Sequence, residues 1–241
     1  MISLVDVAFS YSDTKVLKGI SFEIHEGDRI ALMGSNGSGK STLALVIKGL
    51  YRIESGTVTI DGIPAENSPP ELTGLVFQNP ENQLAAATVE REVAFGLENM
   101  GLPYEEIHRR VDSALRAFDL TEYRKHPPHL LSGGQMQKAA LAGVTAMSPK
   151  YLILDEPTSL LDPLSRKDFF RTLGVQSEQM GILYITQIPE EALFFNRLIV
   201  LKDGEIFYDG DPEALFFNDA RLQEASIDAP VSYKIRRLFS I

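Results

Sequence analysis

Arg29-Ile30-Ala31-Leu32-Met33-Gly34-Ser35-Asn36-Gly37-Ser38-Gly39-Lys40-Ser41-Thr42 decides the fold. Residues 29–33 read as a short apolar strand that runs straight into a glycine-rich loop. From residue 42 to residue 50 the apolar side chains recur at helical spacing. Gly34 to Ser41 matches the spacing G-x-x-x-x-G-K-[ST]. The chemistry requires this pattern. Gly34, Gly37 and Gly39 let the backbone wrap closely, and the N–H groups of Gly34, Ser35, Asn36, Gly37, Ser38 and Gly39 turn inward as an anion nest. The helix opening at Ser41 and Thr42 aims its positive end at the same place. Lys40 reaches the β- and γ-phosphates of a bound nucleotide, and the Ser41 hydroxyl suits Mg²⁺.

Outward from this loop the chain alternates strands and helices, the pattern of an α/β core. Ile2, Leu4, Val5, Val7 and Phe9 form one strand and residues 20–24 a second. A Glu26-Gly27-Asp28 turn leads into the third. Residues 57–60 form a strand closed by Asp61-Gly62, and residues 75–77 a buried strand ending at Gln78-Asn79-Pro80. Helical spacing then takes over at 88–100, 104–118 and 134–147, punctuated by Pro103 and Pro127-Pro128. Residues 151–154 are uninterruptedly apolar, as a buried parallel strand is. Helix follows over 163–178 with Asp162 as N-cap, then a strand at 182–185. A hairpin at 197–202 and 205–209 turns on Asp203-Gly204. The expected organisation is a core of residues 1–79 and 149–218, a helical subdomain at 80–148 and a C-terminal extension at 219–241. That extension is mixed in character, with amphipathic spacing over 231–239 that includes Lys234, Arg236 and Arg237.

Tyr151-Leu152-Ile153-Leu154-Asp155-Glu156 places two acids at the end of a buried strand. An acid there, near bound phosphate, holds Mg²⁺; this role falls to Asp155. Glu156 then stands where it polarises an attacking water. The bulk properties agree. Among 241 residues, 33 acids outnumber 23 Lys and Arg, giving a net charge of -10. That balance argues against nucleic acid as a partner. With 0 Cys there is no disulfide framework. No run of about 18 apolar residues exists to span a bilayer, so service to a membrane requires a partner. No N-terminal targeting segment is read.

Leu131-Ser132-Gly133-Gly134-Gln135, shortly before the acid-tipped strand, resembles the signature of ABC ATPases. The resemblance implies a P-loop NTPase with a RecA-like α/β core, an N-terminal antiparallel β subdomain and a helical subdomain. It implies ATP and Mg²⁺ as ligands. It also implies a head-to-tail pair of ATPase chains, in which Ser132, Gly134 and Gln135 face the ATP held by the partner's phosphate loop. By the same resemblance Tyr11 stacks on adenine, and Gln78 touches Mg²⁺ and relays to a transport subunit. Ser159-Leu160-Leu161-Asp162 becomes the loop that crosses the pair's interface.

A finer likeness lies in Asn79-Pro80-Glu81-Asn82-Gln83, Thr88-Val89-Glu90 and the stretch from Val93 to Asn99, which resemble ATPases of energy-coupling factor transporters. It implies an importer of vitamins or transition-metal ions. Its partners are then a second ATPase chain, same or related, a transmembrane T component and a substrate-binding membrane subunit. The place is the cytoplasmic face of the membrane, peripherally, with coupling through Gln78 and the Asn82-Gln83-Leu84 stretch. One position departs from the ABC pattern: Gln187 follows the 182–185 strand and Thr186, where the family carries a His that contacts the γ-phosphate. Gln donates a hydrogen bond but has no titratable proton. The expectation is tight ATP binding with slow hydrolysis at this chain's own site. The sequence leaves open the weaker half of an asymmetric pair or a change made to trap ATP. The alternative functions are a soluble, non-transport ABC ATPase and an ATP-gated dimerisation module.

Overall fold

The computed structural model describes residues 1–238. The chain divides into two compact units, one comprising Met1–Ser68 with the chain from Gly181 onward, the other Pro69–Met180.

The first unit opens with a hairpin of β1 (Ile2–Tyr11) and β2 (Thr14–Ile24). In β1 the buried positions run Ile2, Leu4, then Val7, Phe9. The change of phase is a β-bulge: Asp6 takes a left-handed φ of 50°, and its N–H donates to Ser21 Oγ at 2.8 Å. β3 (Arg29–Gly34) and α1 (Lys40–Ile47) follow, buried along nearly their whole length. β4 (Ser55–Ile60) pairs antiparallel with the free edge of β1 and carries the two-residue β5 (Ile63–Pro64). The expected antiparallel N-terminal sheet is thus present, in the order β2-β1-β4-β5. β2 starts six residues before the expected 20–24 strand, because Lys15, Lys18 and Gly19 interrupt its apolar alternation while its backbone stays in register with β1.

The second unit holds β6 (Thr73–Val76), then α2 (Val89–Asn99), α3 (Tyr104–Ala117) and α4 (Gly133–Ala146). β7 (Tyr151–Asp155) and α5 (Pro163–Gln176) complete it. β6 and β7 pair in parallel, Val76 beside Leu154, both strands fully buried. β6 ends before Phe77 because the Phe77 N–H donates to the Gln83 side-chain oxygen at 3.1 Å instead of to a strand. α4 packs against α2 and α3, and its Ala139, Ala140 and Ala142 are buried. Gly96 on α2 allows a close approach, since a Cβ there would lie 2.4 Å from Met147 Sδ.

The chain then returns to the first unit as β8 (Gly181–Ile185), α6 (Pro189–Ala192), β9 (Arg197–Lys202) and β10 (Glu205–Gly210). β3 lies between β9 and β8, parallel to both, and β10 closes the β9 edge antiparallel. The β9–β10 turn has positive φ at Asp203 (51°) and Gly204 (84°), the geometry that a two-residue hairpin favours. Gly204 O accepts from Lys18 N–H at 2.8 Å, docking this turn on β2. α7 (Pro212–Phe216) follows, and the described part of the 219–241 stretch read as mixed carries two helices, α8 (Asp219–Ala225) and α9 (Val231–Leu238). Tyr233 of α9 packs on the rings of Phe216 and Phe217. Phe239, read as the end of the amphipathic stretch, lies outside the described residues.

Candidate functional site

In the first unit β3 delivers the chain to Gly34 at φ 152°. A Cβ at Gly34 would stand 2.3 Å from Leu201 O and 2.6 Å from Ser38 Oγ, so only glycine passes. The loop then turns through Ser35 to Ser38, with Ser38 N–H donating to Ser35 O at 3.1 Å. Gly39 is the N-cap of α1, with φ 104° and no capping side chain, and the first turn of α1 carries no acid. The helix end therefore keeps its positive potential for an incoming anion. Lys40 is only 6% exposed, and its Nζ donates to Gly34 O at 2.9 Å and Ser35 O at 3.0 Å. Ser38 is buried, and its Oγ has no hydrogen-bond partner in the protein, an open polar group inside the cradle. Ser41 is exposed at the mouth; Thr42 is buried behind it.

Tyr11 joins this loop directly, its hydroxyl 3.3 Å from Thr42 Oγ1, with 46% of the residue exposed. Its ring meets Phe9 and Tyr51 edge-on, at 4.9 and 5.7 Å, while Phe9 and Tyr51 stack at 5.4 Å. Hydrogen bonding to Tyr11 is the chief cause that raises the Tyr51 phenol above its ordinary pKa. Sequence reasoning singled out Tyr11 and passed over Tyr51, a lone aromatic in the loop after α1 with no period to mark it. Gln187 also lies on this unit, exposed just beyond β8.

In the second unit the parallel register does the placing. Two residues beyond the Val76–Leu154 pair, Gln78 comes abreast of Glu156, and Gln78 Nε2 donates to Glu156 Oε2 at 3.0 Å. Asp155 is buried at the tip of β7. Glu156 adopts φ 45°, a left-handed conformation that costs a non-glycine residue on the order of 1 kcal/mol and concentrates at functional sites. The loop after Gln78 is held by Gln83, which the sequence placed in the coupling stretch, and by Glu92, which sequence reasoning did not assign. Gln83 bonds the backbone of Phe77 and, through Nε2, Leu75 O at 3.3 Å. Glu92 accepts from the N–H groups of Ala85 and Ala86 at 2.9 and 2.7 Å. Gln83 therefore faces β6, and Asn82 is the exposed member of that stretch.

Ser132 caps α4 in a reciprocal box: Gln135 N–H donates to Ser132 Oγ at 3.3 Å, and Ser132 N–H donates to Gln135 Oε1 at 2.9 Å. Gly134 sits against Leu161, whose Cδ2 would be 3.0 Å from a Cβ there. A cavity of about 320 Å³ opens beside this turn, lined by Ser132, Gly134, Gln135, Lys138 and Leu161 among others. Asp162 caps α5; the Ser165 hydroxyl, then the Ser165 N–H, hold its carboxyl below the usual carboxylate range. Among the described residues no group of three or more His, Cys, Asp or Glu stands ready to hold a metal ion by itself.

A strand–glycine loop–helix cradle with a buried lysine folded over it defines a P-loop nucleotide-binding protein. The chain belongs to the ABC transporter ATPase family: the family described as ABC transporter matches residues 17–159. It is similar over 98% of its length to energy-coupling factor transporter ATP-binding protein EcfA1 of Ligilactobacillus salivarius, at 42% identity and 87% of that protein. The corresponding protein of Bacillus subtilis is 40% identical, over 99% of this chain and 88% of its own. Among solved structures it is similar to cbiO1 of Clostridium perfringens, described as part of the ABC transporter complex cbiONQ. The TM-score is 0.80 at 35% identity, covering 100% of this chain and 98% of that one. A dimeric bacterial ABC transporter cassette gives TM-score 0.80 at 29% identity, covering 88% and 99%. The fold is accordingly that of a P-loop NTPase, and the chain is an ATPase whose hydrolysis is coupled to transport.

Proposed function

We propose that this chain is the ATP-hydrolysing subunit of an energy-coupling-factor importer for a vitamin or transition-metal ion. It works peripherally at the cytoplasmic face of the membrane, beneath a transmembrane T component and a substrate-binding membrane subunit. Among the described residues no helix is long and apolar enough to cross a membrane. The observation that carries the catalytic part is Glu156: an acid in a left-handed backbone, oriented by Gln78. An ATP-gated dimerisation module needs no such acid.

ATP phosphates bind the N–H groups of residues 34–39 and the start of α1. The charged phosphate oxygens outcompete the neutral Gly34 and Ser35 carbonyls for Lys40. The open Ser38 hydroxyl is a further donor to them. Adenine lies on Tyr11. The Ser41 hydroxyl, the Asp155 carboxylate and the Gln78 amide oxygen are the hard oxygen donors that Mg²⁺ prefers, and Gln78 has its nitrogen engaged with Glu156, leaving oxygen as its donor atom for a cation. Held by these donors, Mg²⁺ would neutralise phosphate charge. Glu156 accepts a proton of the attacking water, whose oxygen bonds to the γ-phosphorus as the β–γ bridge breaks, giving ADP and phosphate.

The second nucleotide contact comes from a partner ATPase chain, same or related. Ser132 Oγ accepts its capping bond and keeps its O–H to donate, and the Gly134 N–H belongs to the first turn of α4, which carries no acid. Gln187 makes this chain's own site slow. Gln187→His is expected to raise kcat by about 10-fold, a part of the factor of about 10²–10³ that a well-aimed donor contributes. Steady-state phosphate release by both proteins, across protein concentration and with Glu156→Gln as blank, reads this out. Equal turnover by the native chain and the His variant would remove the slow-site reading.

A further inference from the structure

The residues around Gln187 form a buried device that the nucleotide chemistry above does not use. β8 and Thr186 are buried without interruption, and Thr186 N–H donates to Leu32 O at 3.1 Å, one residue past the end of the strand. Gln187 is the first exposed residue. Tyr184 and Thr186, two apart in an extended chain, point the same way. Both meet Glu191 of α6. Tyr184 Oη donates to Glu191 Oε2 at 3.1 Å, and Thr186 Oγ1 donates to the same oxygen at 2.5 Å. Glu191 is 3% exposed. Thr186 Oγ1 also accepts from the N–H of Ile188 at 3.0 Å. The residues before and after Gln187 therefore converge on one hydroxyl.

That hydroxyl has a single proton, and a carboxylate is an acceptor only. With its proton drawn to Glu191, the oxygen presents its lone pairs to the Ile188 N–H. The turn is thereby fixed at both ends. Pro189 opens α6 immediately afterwards, and Glu191 N–H returns to Ile188 O at 3.0 Å. The loop is held on both sides of one exposed residue, Gln187.

We propose that Glu191 is a positioning residue for Gln187, acting through the Thr186 hydroxyl to hold the turn that aims the Gln187 amide. This rests on the reading of Gln187 as a γ-phosphate-facing donor. Glu191 touches no substrate, so its loss should appear in kcat and not in the KM for ATP. Gln at 191 still offers an oxygen to both hydroxyls, whereas Leu offers none.

The test is a double-mutant cycle in the purified full-length chain. Glu191→Gln is expected to keep kcat within about twofold, and Glu191→Leu to lower it about 10-fold with KM within about twofold. In the Gln187→Ala background, Glu191→Leu should lower kcat no further, since the group it positions is gone. An equal 10-fold loss in that background, or a rise in KM at unchanged kcat, would show a general structural role and overturn the proposal. If Gln187→Ala alone leaves kcat unchanged, the reading of Gln187 fails, and this inference with it. Should Glu191→Leu not fold, Thr186→Val removes the shared hydroxyl at equal shape and enters the same cycle with the same expected and contrary outcomes.

Discussion

Glu156→Gln lowers ATP turnover by at least about 100-fold, a barrier increase of about 2.7 kcal/mol, while nucleotide affinity stays within about threefold. The exchange is nearly isosteric. The amide that replaces the carboxylate still offers an oxygen to Gln78 Nε2, so the 3.0 Å hydrogen bond and the left-handed turn at 156 persist. What is lost is the negative charge that accepts the water's proton. Neither the phosphate cradle nor Tyr11 is touched. Phosphate release in single and multiple turnover, with binding of a fluorescent ATP analogue beside it, separates the two effects. A variant with near-native turnover would move the base elsewhere, and a variant that loses binding would make Glu156 a structural acid.

Lys40→Ala acts at the other end of the chemistry and is expected to weaken ATP binding by at least about 100-fold. Lys40 closes the loop through the Gly34 and Ser35 carbonyls, and it supplies the positive charge inside the cradle. Charge-assisted hydrogen bonds of this kind are roughly twice as strong as neutral ones. Removing the side chain also leaves the buried Gly34 carbonyl without that donor, at a cost of about 1–3 kcal/mol of stability. A lower Tm without nucleotide and the loss of the ATP-induced rise in Tm should appear together. An undiminished ATP-induced rise would mean that Lys40 does not contact the phosphates.

The cradle was legible because its causes are local. Strand, glycines, lysine and helix start lie within fourteen residues, and each residue type is required where it stands. The cap role of Asp162 was legible on the same ground, whereas the capping box of Ser132 and Gln135 was not read. The β1 bulge is also written locally, in the shift from Ile2 and Leu4 to Val7 and Phe9, though nothing in the residues says which strand pairs across it. The Gln78–Glu156 contact needs the parallel register of β6 and β7, which is a property of the packed sheet. Tyr51, Glu92 and Glu191 escaped for the same reason, as did the bond of Gln83 to the end of β6, since the sequence read Gln83 as part of a coupling stretch. Each is an ordinary polar or aromatic residue until the fold brings it to Tyr11, to the Ala85–Ala86 backbone, to Thr186 or to Phe77. The early start of β2 was hidden by Lys15, Lys18 and Gly19, whose place in the strand is set by pairing with β1.

On the function proposed above, this chain hydrolyses ATP in a head-to-tail pair, each nucleotide held by the phosphate loop of one chain and the signature turn of the other. Complementation tests it directly. Lys40→Ala removes one chain's phosphate grip. Gly134→Asp puts a negative charge on the turn that faces the partner's nucleotide, with its Cβ 3.0 Å from Leu161 Cδ2. Each variant alone should be inactive. In a one-to-one mixture, half of randomly formed pairs contain both variants, and each such pair carries one intact composite site. The mixture is expected to regain about a quarter of native turnover if the sites act independently. A mixture no more active than the two variants measured separately would contradict it.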